Sequence, residues 1–263
     1  MPEADMNRKL ESEEGKRIVK AGSKTPQKEL PVDADVFLVN GNIGFVSKVD
    51  GRDKDEAWVW YAPTLEGLPG PEEQWMFQKF HQAGISVAGI DVGESFGSPE
   101  GRSFYSEFYT TVTEQRGLSA RPCLLARSRG GLMLYNWAAE HPEYVAGIAG
   151  IYPVGNVLSY PGLAKASDAY GLSESELKRD IQLHNPVDRL APLAENRVPI
   201  FHIHGDCDTV VPLEANSALL AERYCKLGGE MVLRVVEDQG HNMWTGWFQC
   251  EELVQFVIDR ATE

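Results

Sequence analysis

The sequence predicts an α/β fold, in which a mostly parallel β-sheet is covered by helices on both faces. From about residue 57 onward, short apolar runs rich in β-prone residues alternate with stretches of helical character. The chain has 263 residues, enough for one large domain with a substantial core. Hydrophobic residues make up 43% of it, as is typical of soluble globular proteins.

The first part of the chain differs from the rest. Residues 1–30 are polar and charged without apolar periodicity, so we expect a flexible N-terminal extension before a domain of residues 31–263. Residues 36–49 then alternate apolar with polar or small residues around Asn40-Gly41-Asn42, which predicts an antiparallel hairpin.

The remaining elements follow the strand and helix periodicities. Strands are predicted over 57–61, 85–90, 123–126, 145–151, 198–204 and 231–236. Helices are predicted over 71–83, 104–115, 130–140, 213–227 and 251–260. Because helices alternate with these strands along the chain, we expect the strands to form a mostly parallel sheet.

One interval interrupts the alternation. Residues 156–197 contain no convincing strand, but Ser173 and Glu176 have the spacing of a capping box, which predicts a helix over 173–182. We interpret this insert as a small helical lid over the carboxyl edge of the sheet, where ligands bind in open α/β folds. The alternative is a long connection without a role at the site.

Composition excludes several classes of function. The net charge is −14, so binding to nucleic acid is not expected. No apolar stretch approaches transmembrane length, so we expect no membrane insertion. The N-terminus has no signal-peptide pattern, which predicts a cytoplasmic protein, or a secreted one whose leader is absent from this sequence. The oligomeric state is left open.

The cysteines and histidines show no metal-ligand pattern, and we expect neither a metal nor a cofactor. Cys123 lies in a predicted buried strand and is expected to act as a small apolar residue. The sequence leaves open whether two of Cys207, Cys225 and Cys250 pair.

Ser128 is the candidate nucleophile. It lies in Ala126-Arg127-Ser128-Arg129-Gly130-Gly131, after an apolar run and before a helical stretch. This is the pattern of a nucleophile elbow, a sharp strand-to-helix turn that exposes a serine hydroxyl, with Ala126 in place of the usual first glycine. Small residues are needed there because bulky ones would clash with the neighbouring strand and helix. The alternative is an ordinary helix N-cap.

Two partners follow Ser128 in the order serine, aspartate, histidine. Asp208 comes after a predicted strand and His241 after the last one, so both loops open at the carboxyl edge of the sheet. A serine hydroxyl needs a base to accept its proton, and that base needs an orienting acid. Asp206 is the competing acid, which we expect to be a turn residue instead.

These motifs together resemble the α/β-hydrolase fold. Asn185-Pro186-Val187-Asp188 leading to His204-Gly205 further resembles the catalytic domain of the prolyl-oligopeptidase and dienelactone-hydrolase-like branch. The resemblance covers residues 57–261 and implies a serine hydrolase with Ser128 as nucleophile, Asp208 as acid and His241 as base. We expect no propeller domain of the kind that restricts oligopeptidases to short peptides, because the 263 residues leave no room for one beside the hydrolase domain.

The resemblance also implies an oxyanion hole with two amide donors. One is the amide of Arg129, the residue after the nucleophile; the other comes from the loop after residues 57–61, where we choose Thr64 because Pro63 has no amide hydrogen. A similar Ser-Arg step occurs in glucuronoyl esterases. The Arg129 side chain is therefore interpreted either as a contact to the oxyanion or to an acidic substrate group, or as one half of a surface salt bridge.

Four further residues are candidate substrate contacts. Glu94 and Phe96 follow a predicted strand at the same edge, although such turns are often purely structural. Trp244 and Trp247 follow His241 and either form a stacking wall for a sugar or aryl group, or pack the last helix onto the sheet.

The sequence therefore predicts a carboxylic-ester hydrolase that acts through an acyl-serine intermediate on a small-molecule or oligosaccharide ester. The alternatives are a serine peptidase or amidase of the prolyl-oligopeptidase type, and a non-catalytic binding protein on the same fold.

Overall fold

The computed structural model of the protein describes residues 26–49 and 56–263. Most of the predicted N-terminal extension, residues 1–25, lies outside the described residues. The last part of that predicted extension packs on the domain: Lys28 Nζ donates hydrogen bonds to the carbonyl oxygens of Thr64 and Leu65 at 2.8 and 2.9 Å.

The described strands form one eight-stranded sheet in the order β1-β2-β4-β3-β5-β6-β7-β8. They are β1 (Ala34–Val39), β2 (Asn42–Ser47), β3 (Trp58–Ala62), β4 (Ser86–Ile90), β5 (Cys123–Arg127), β6 (Gly147–Ile151), β7 (Ile200–Gly205) and β8 (Met231–Val236). The β1–β2 and β2–β4 pairs are antiparallel and all other pairs are parallel. The predicted hairpin and mostly parallel sheet are confirmed.

The helices lie on both faces of this sheet. They are α1 (Gln74–Gln82), α2 (Pro99–Thr110), α3 (Gly130–Ala138), α4 (Leu163–Tyr170), α5 (Glu174–Arg179), α6 (Ala191–Glu195), α7 (Ser217–Lys226), α8 (Thr245–Phe248) and α9 (Glu251–Thr262). A single-turn π-helix, Thr111–Gln115, continues α2.

The alternating side chains of β3 show how the sheet separates two cores. Trp60 packs with Trp137 of α3 in one apolar cluster, whereas Val59 packs with Phe77 of α1 and Val257 of α9 in another. Successive residues of a strand point to opposite faces, so a strand that is buried on both sides is apolar throughout. Each such buried side chain contributes about 1.5–3 kcal/mol relative to its exposed state.

The N-termini of α5 and α2 are both capped by serine side chains. Ser173 and Glu176 form the predicted capping box: Glu176 N donates to Ser173 Oγ at 3.3 Å and Ser173 N donates to Glu176 Oε2 at 2.9 Å. In contrast, α2 begins at Pro99, five residues before the predicted start. Ser98 caps this helix by accepting a hydrogen bond from Gly101 N at 3.3 Å, and proline suits the first helical position.

The insert of residues 156–197 contains α4, α5 and α6 and packs through a small apolar cluster of its own. Leu177 of α5 and Ala166 of α4 join Leu132 of α3 in this cluster, next to Phe96. The insert therefore rests on the start of α3, close to Ser128; its role as a lid remains a prediction.

The structure also bears on membrane-spanning helices, cysteine pairing and metal-ligand groups. No helix in residues 26–49 and 56–263 is both long enough and apolar enough to span a bilayer. The four cysteines all carry free thiols, of which Cys123 and Cys250 are buried. Within the same ranges, no group of three or more potential ligand side chains is arranged to hold a metal ion.

The first residue of α3, Gly130, lies close to the backbone at the end of β3. A Cβ at Gly130 would lie 2.1 Å from Ala62 O and 2.7 Å from Pro63 N, both of them backbone atoms. We expect Gly130→Ala to lower the free energy of unfolding by at least about 3 kcal/mol, because overpacking against backbone has little room to relax.

The matched control is Gly84→Ala, where a Cβ meets nothing within 4 Å but the φ of +76° is strained for alanine. This control should lose only about 1 kcal/mol. Urea unfolding of both variants measures the difference, and equal losses would contradict the close approach.

Candidate functional site

Ser128 occupies a strained turn between β5 and α3. Its φ is 49°, in the left-handed region that is costly for a residue with a Cβ. Three backbone hydrogen bonds hold the turn: Ser128 N donates to Ile151 O at 3.0 Å, and Ser128 O accepts from Gly131 N at 3.0 Å and Val154 N at 2.8 Å. The turn lifts the hydroxyl out of the carboxyl edge of the sheet, as the elbow pattern predicts.

The structure brings together the three side chains that the sequence singles out. Ser128 Oγ lies 2.9 Å from His241 Nε2, and His241 Nδ1 lies 2.7 Å from Asp208 Oδ2. The residues come from separate loops, after β5, β7 and β8, which open at the same edge because those strands run parallel in one sheet, with β6 between β5 and β7. The distances are those of hydrogen bonds, so the imidazole can accept the serine proton.

The Asp208 carboxylate is buried and well supplied with donors. Its Oδ1 accepts hydrogen bonds from the amides of Val210 and Val211 at 2.9 and 2.8 Å. Burial alone would raise the pKa of Asp208, but hydrogen bonds with His204, His241 and the Val211 amide outweigh burial and hold this pKa well below its ordinary value. Asp206, the competing acid, is exposed and has no such contacts with His241.

Aromatic packing orients the imidazole further. The ring of Tyr152, which follows β6, lies 4.3 Å from the His241 ring, centroid to centroid. Trp247 packs edge-on against Tyr152 at 5.5 Å, and its Nε1 donates to Asn242 Oδ1 at 2.9 Å. His241 is thus held by an acid on one side and by a packed aromatic pair on another.

A cavity of about 170 Å³ opens beside the Ser128 hydroxyl. Its lining comprises Pro63, Leu68, Arg127, Ser128, Arg129, Tyr152, His241, Asn242 and Met243. The Arg127 guanidinium pairs with the fully buried Glu73, and its Nη2 lies 3.1 Å from Met243 Sδ. Glu73 Oε1 also accepts a hydrogen bond from Tyr61 at 2.7 Å, so the charge of this pair is embedded in the cavity wall.

Of the two residues expected to supply oxyanion donors, Arg129 lines the cavity and Thr64 does not. Arg129 is the N-cap of α3. The loop after β3, which contains Thr64, reaches the cavity through Pro63. Thr64 lies buried directly behind Pro63, and its hydroxyl donates to Ile90 O. Lys28 Nζ donates hydrogen bonds to the carbonyl oxygens of Thr64 and Leu65, and these bonds stabilise the conformation of the loop. The oxyanion role of both amides remains a prediction.

The Arg129 side chain faces other protein groups. Its Nε lies 3.2 Å from Glu94 Oε1, and its Nη1 lies 3.5 Å from the hydroxyl of Tyr160 in the insert. This contact corresponds to the salt-bridge alternative, and it places the partly exposed Glu94 carboxylate beside the nucleophile turn.

The other predicted substrate contacts are mostly buried. Phe96 is 3% exposed and packs under the insert, where its carbonyl accepts a hydrogen bond from Tyr170 at 3.0 Å. Trp247 is fully buried, and Trp244, 41% exposed, packs edge-on against it at 5.2 Å. Neither tryptophan lines the cavity, so packing rather than a stacking wall describes Trp247, and Phe96 is not positioned as a contact.

Sequence analysis missed Arg127, Tyr152 and Met243 in the cavity wall. A signal for Arg127 exists in the sequence: a charged residue ends a strand that is otherwise apolar, directly before the nucleophile. Such a residue needs a buried counter-ion, and Glu73 supplies it.

Comparison with known proteins gives the family. The family model described as the prolyl oligopeptidase family (peptidase S9) matches residues 112–258, more than half of the chain, and this range contains Ser128, Asp208 and His241. No curated protein sequence matches the chain.

Similar solved structures belong to larger proteins. A putative dipeptidyl aminopeptidase IV from Bacteroides ovatus and dipeptidyl peptidase 4 from Porphyromonas gingivalis each superpose with a TM-score of 0.68 at 13% identity, covering 86% of this chain and 35% of theirs. A puromycin-hydrolyzing peptidase from Mycobacterium tuberculosis superposes with a TM-score of 0.63 at 14% identity, covering 84% of this chain and 38% of that one. The chain thus spans little more than a third of these structures, and the likeness shows the α/β-hydrolase fold.

The environment of Asp208 predicts an acid-dependent loss of stability. Its pKa lies below the ordinary value of 3.8 in the folded chain, so the unfolded chain binds the proton more readily. The stabilisation is fully present above that ordinary value and is lost as the pH falls towards the lower folded pKa. We therefore expect Asp208→Asn to cost more free energy of unfolding at pH 7 than at about pH 3.

Urea unfolding at both pH values measures this difference. Asp206→Asn, which alters the exposed neighbouring acid, is the control and should show the same small cost at both pH values. A pH-independent cost for Asp208→Asn would contradict the assigned environment.

Proposed function

Since the chain belongs to the prolyl oligopeptidase family and is a serine hydrolase of the α/β-hydrolase fold, we propose that it cleaves peptide-type amide bonds through an acyl-enzyme on Ser128. The observation that carries the proposal is the continuous hydrogen-bonded series from Ser128 Oγ through His241 to Asp208, with distances of 2.9 and 2.7 Å.

The proposed reaction has two halves. His241 Nε2 accepts the Ser128 proton as Oγ attacks the substrate carbonyl carbon, and Asp208 stabilises the imidazolium that forms. The amides of Arg129 and Thr64 donate to the tetrahedral oxyanion. The protonated His241 then gives its proton to the leaving amine, and the carbon–nitrogen bond breaks. Water, deprotonated by His241, hydrolyses the acyl-serine and restores the free enzyme.

An amide substrate makes a stronger demand on His241 than an ester does. An amine is a poor leaving group unless it is protonated, so the imidazolium must stay aimed at the nitrogen. The contacts of His241 with Asp208 and with the Tyr152 ring supply that orientation. The family and the neighbours named as peptidases favour amide over ester cleavage.

The cavity supports a small acyl group. Its volume of about 170 Å³ beside Ser128 accommodates a short side chain. Arg127 and Arg129 are each paired with a glutamate, Glu73 and Glu94, so the nearby charges are balanced. We therefore propose short, uncharged residues at the acylating position.

The carboxylic-ester preference expected from the sequence is the second candidate, and one matched experiment distinguishes the two. The same short aminoacyl group is offered as an arylamide and as an aryl ester. We expect saturable turnover of the arylamide, with kcat/KM at least about 100-fold above Ser128→Ala.

Turnover of the ester alone, with the arylamide at the Ser128→Ala background, would assign an esterase instead. Ser159→Ala is the control: it removes a serine hydroxyl of the insert, outside the catalytic triad, and should retain wild-type rates. Labelling by a fluorophosphonate tests the third alternative, because a non-catalytic binding protein would leave Ser128 unlabelled.

A further inference from the structure

A continuous set of buried polar side chains lies behind Asp208, away from the cavity. His202 and His204 lie two residues apart on β7 and therefore face the same side of the sheet. Ser217 begins α7, and Tyr135 lies on α3, the helix that follows the nucleophile. All four residues are at most 1% exposed.

Hydrogen bonds join these side chains in series. Tyr135 Oη lies 2.7 Å from His202 Nε2, and His202 Nδ1 lies 2.9 Å from Ser217 Oγ. Ser217 Oγ also lies 2.8 Å from His204 Nδ1. The series ends at His204 Nε2, which lies 2.8 Å from Val211 O and 3.4 Å from Asp208 Oδ2.

The acceptors at one end determine where the protons lie. His204 Nε2 faces a carbonyl oxygen and a carboxylate, so it must carry a hydrogen. In the neutral imidazole, His204 Nδ1 is then an acceptor, and Ser217 is the group placed to donate to it. The single hydroxyl hydrogen of Ser217 is thereby used.

The same reasoning assigns the protons at the Tyr135 end of the series. Ser217 Oγ can only accept from His202, so His202 Nδ1 carries a hydrogen and His202 Nε2 accepts from the Tyr135 hydroxyl. Burial lowers the pKa of His202 to about 3, which keeps that ring neutral. Every donor in the series therefore points towards Asp208.

We propose that His204 is a positioning residue for Asp208, and that Tyr135, His202 and Ser217 act through it by fixing its tautomer and polarising its Nε2–H bond. The inference rests on the proposed acyl-transfer role of Ser128, because Asp208 matters to catalysis only through His241. Aligned donors in a buried series strengthen one another, and here the last N–H is shared between Val211 O, at 2.8 Å, and the carboxylate that orients the base, at 3.4 Å. The Val211 contact adds to this, since the amide of the same residue donates to Asp208 Oδ1 at 2.8 Å.

The test removes the central hydroxyl, which is remote from substrate. Ser217→Ala leaves His204 Nδ1 without its donor, and we expect kcat to fall about fivefold, the worth of one hydrogen bond, with KM within about twofold of wild type. Ser217→Thr keeps the hydroxyl and should restore most of kcat. Ser167→Ala is the control, since the buried Ser167 hydroxyl donates only to Ala164 O of its own helix and should leave kcat unchanged.

A spectroscopic readout separates positioning from a general loss of structure. The proton between His241 Nδ1 and Asp208 gives a low-field ¹H resonance, which Ser217→Ala should shift and Ser167→Ala should not. A shift is expected even without turnover, so failure of the proposed substrate class does not affect this measurement. A folded Ser217→Ala protein with wild-type kcat, or with reduced kcat and an unmoved resonance, would overturn the inference.

Tyr135→Phe provides a second route, should Ser217→Ala fail to fold. It removes one oxygen at the far end of the series, and we expect a smaller loss of kcat and a smaller shift of the same resonance. Where both variants fold, the double variant should lose no more kcat than Ser217→Ala, because the series is already interrupted. Additive losses, or a Tyr135→Phe protein with wild-type kcat and resonance, would overturn the inference.

Discussion

The geometry of the site depends on the left-handed turn at Ser128. A residue with a φ of 49° is stable only where the surroundings over-determine it, and the hydrogen bonds from β6 and the following loop do so. The same turn brings α3 so close to β3 that only glycine fits at position 130. The cavity, the amide of Arg129 and the approach of His241 all follow from this one backbone conformation.

Near the nucleophile, positive and negative side chains balance one another, although the chain is strongly acidic overall. The net charge is −14, yet the nucleophile is flanked by two arginines, Arg127 and Arg129. Each is neutralised by a glutamate, so neither presents an unbalanced charge to the cavity. Asp208 is stabilised differently, by hydrogen-bond donors rather than by a cation. Recognition at this site is therefore expected to depend on shape and hydrogen bonding more than on long-range attraction.

The sequence predicted the convergence of Ser128, Asp208 and His241 because loops after parallel strands of one sheet open at the same edge. The strands were also predictable, since burial on both faces makes them apolar throughout. Loop residues were less predictable. Phe96 became core because the insert packs over it, and that contact is formed by residues more than sixty positions away. The hydrogen-bonded role of His202 and His204 likewise needs partners from α3 and α7, which no local pattern reveals.

The buried pair of Arg127 and Glu73 has a consequence for how this protein changes over evolutionary time. The two side chains are 9% and 0% exposed, and removing either leaves the other as an uncompensated charge, at a cost of about 3–5 kcal/mol. Replacing both with apolar residues of similar volume avoids that penalty. Neither position can drift alone, so lineages descended from a common ancestor are expected to keep the pair intact or to have exchanged it as a unit.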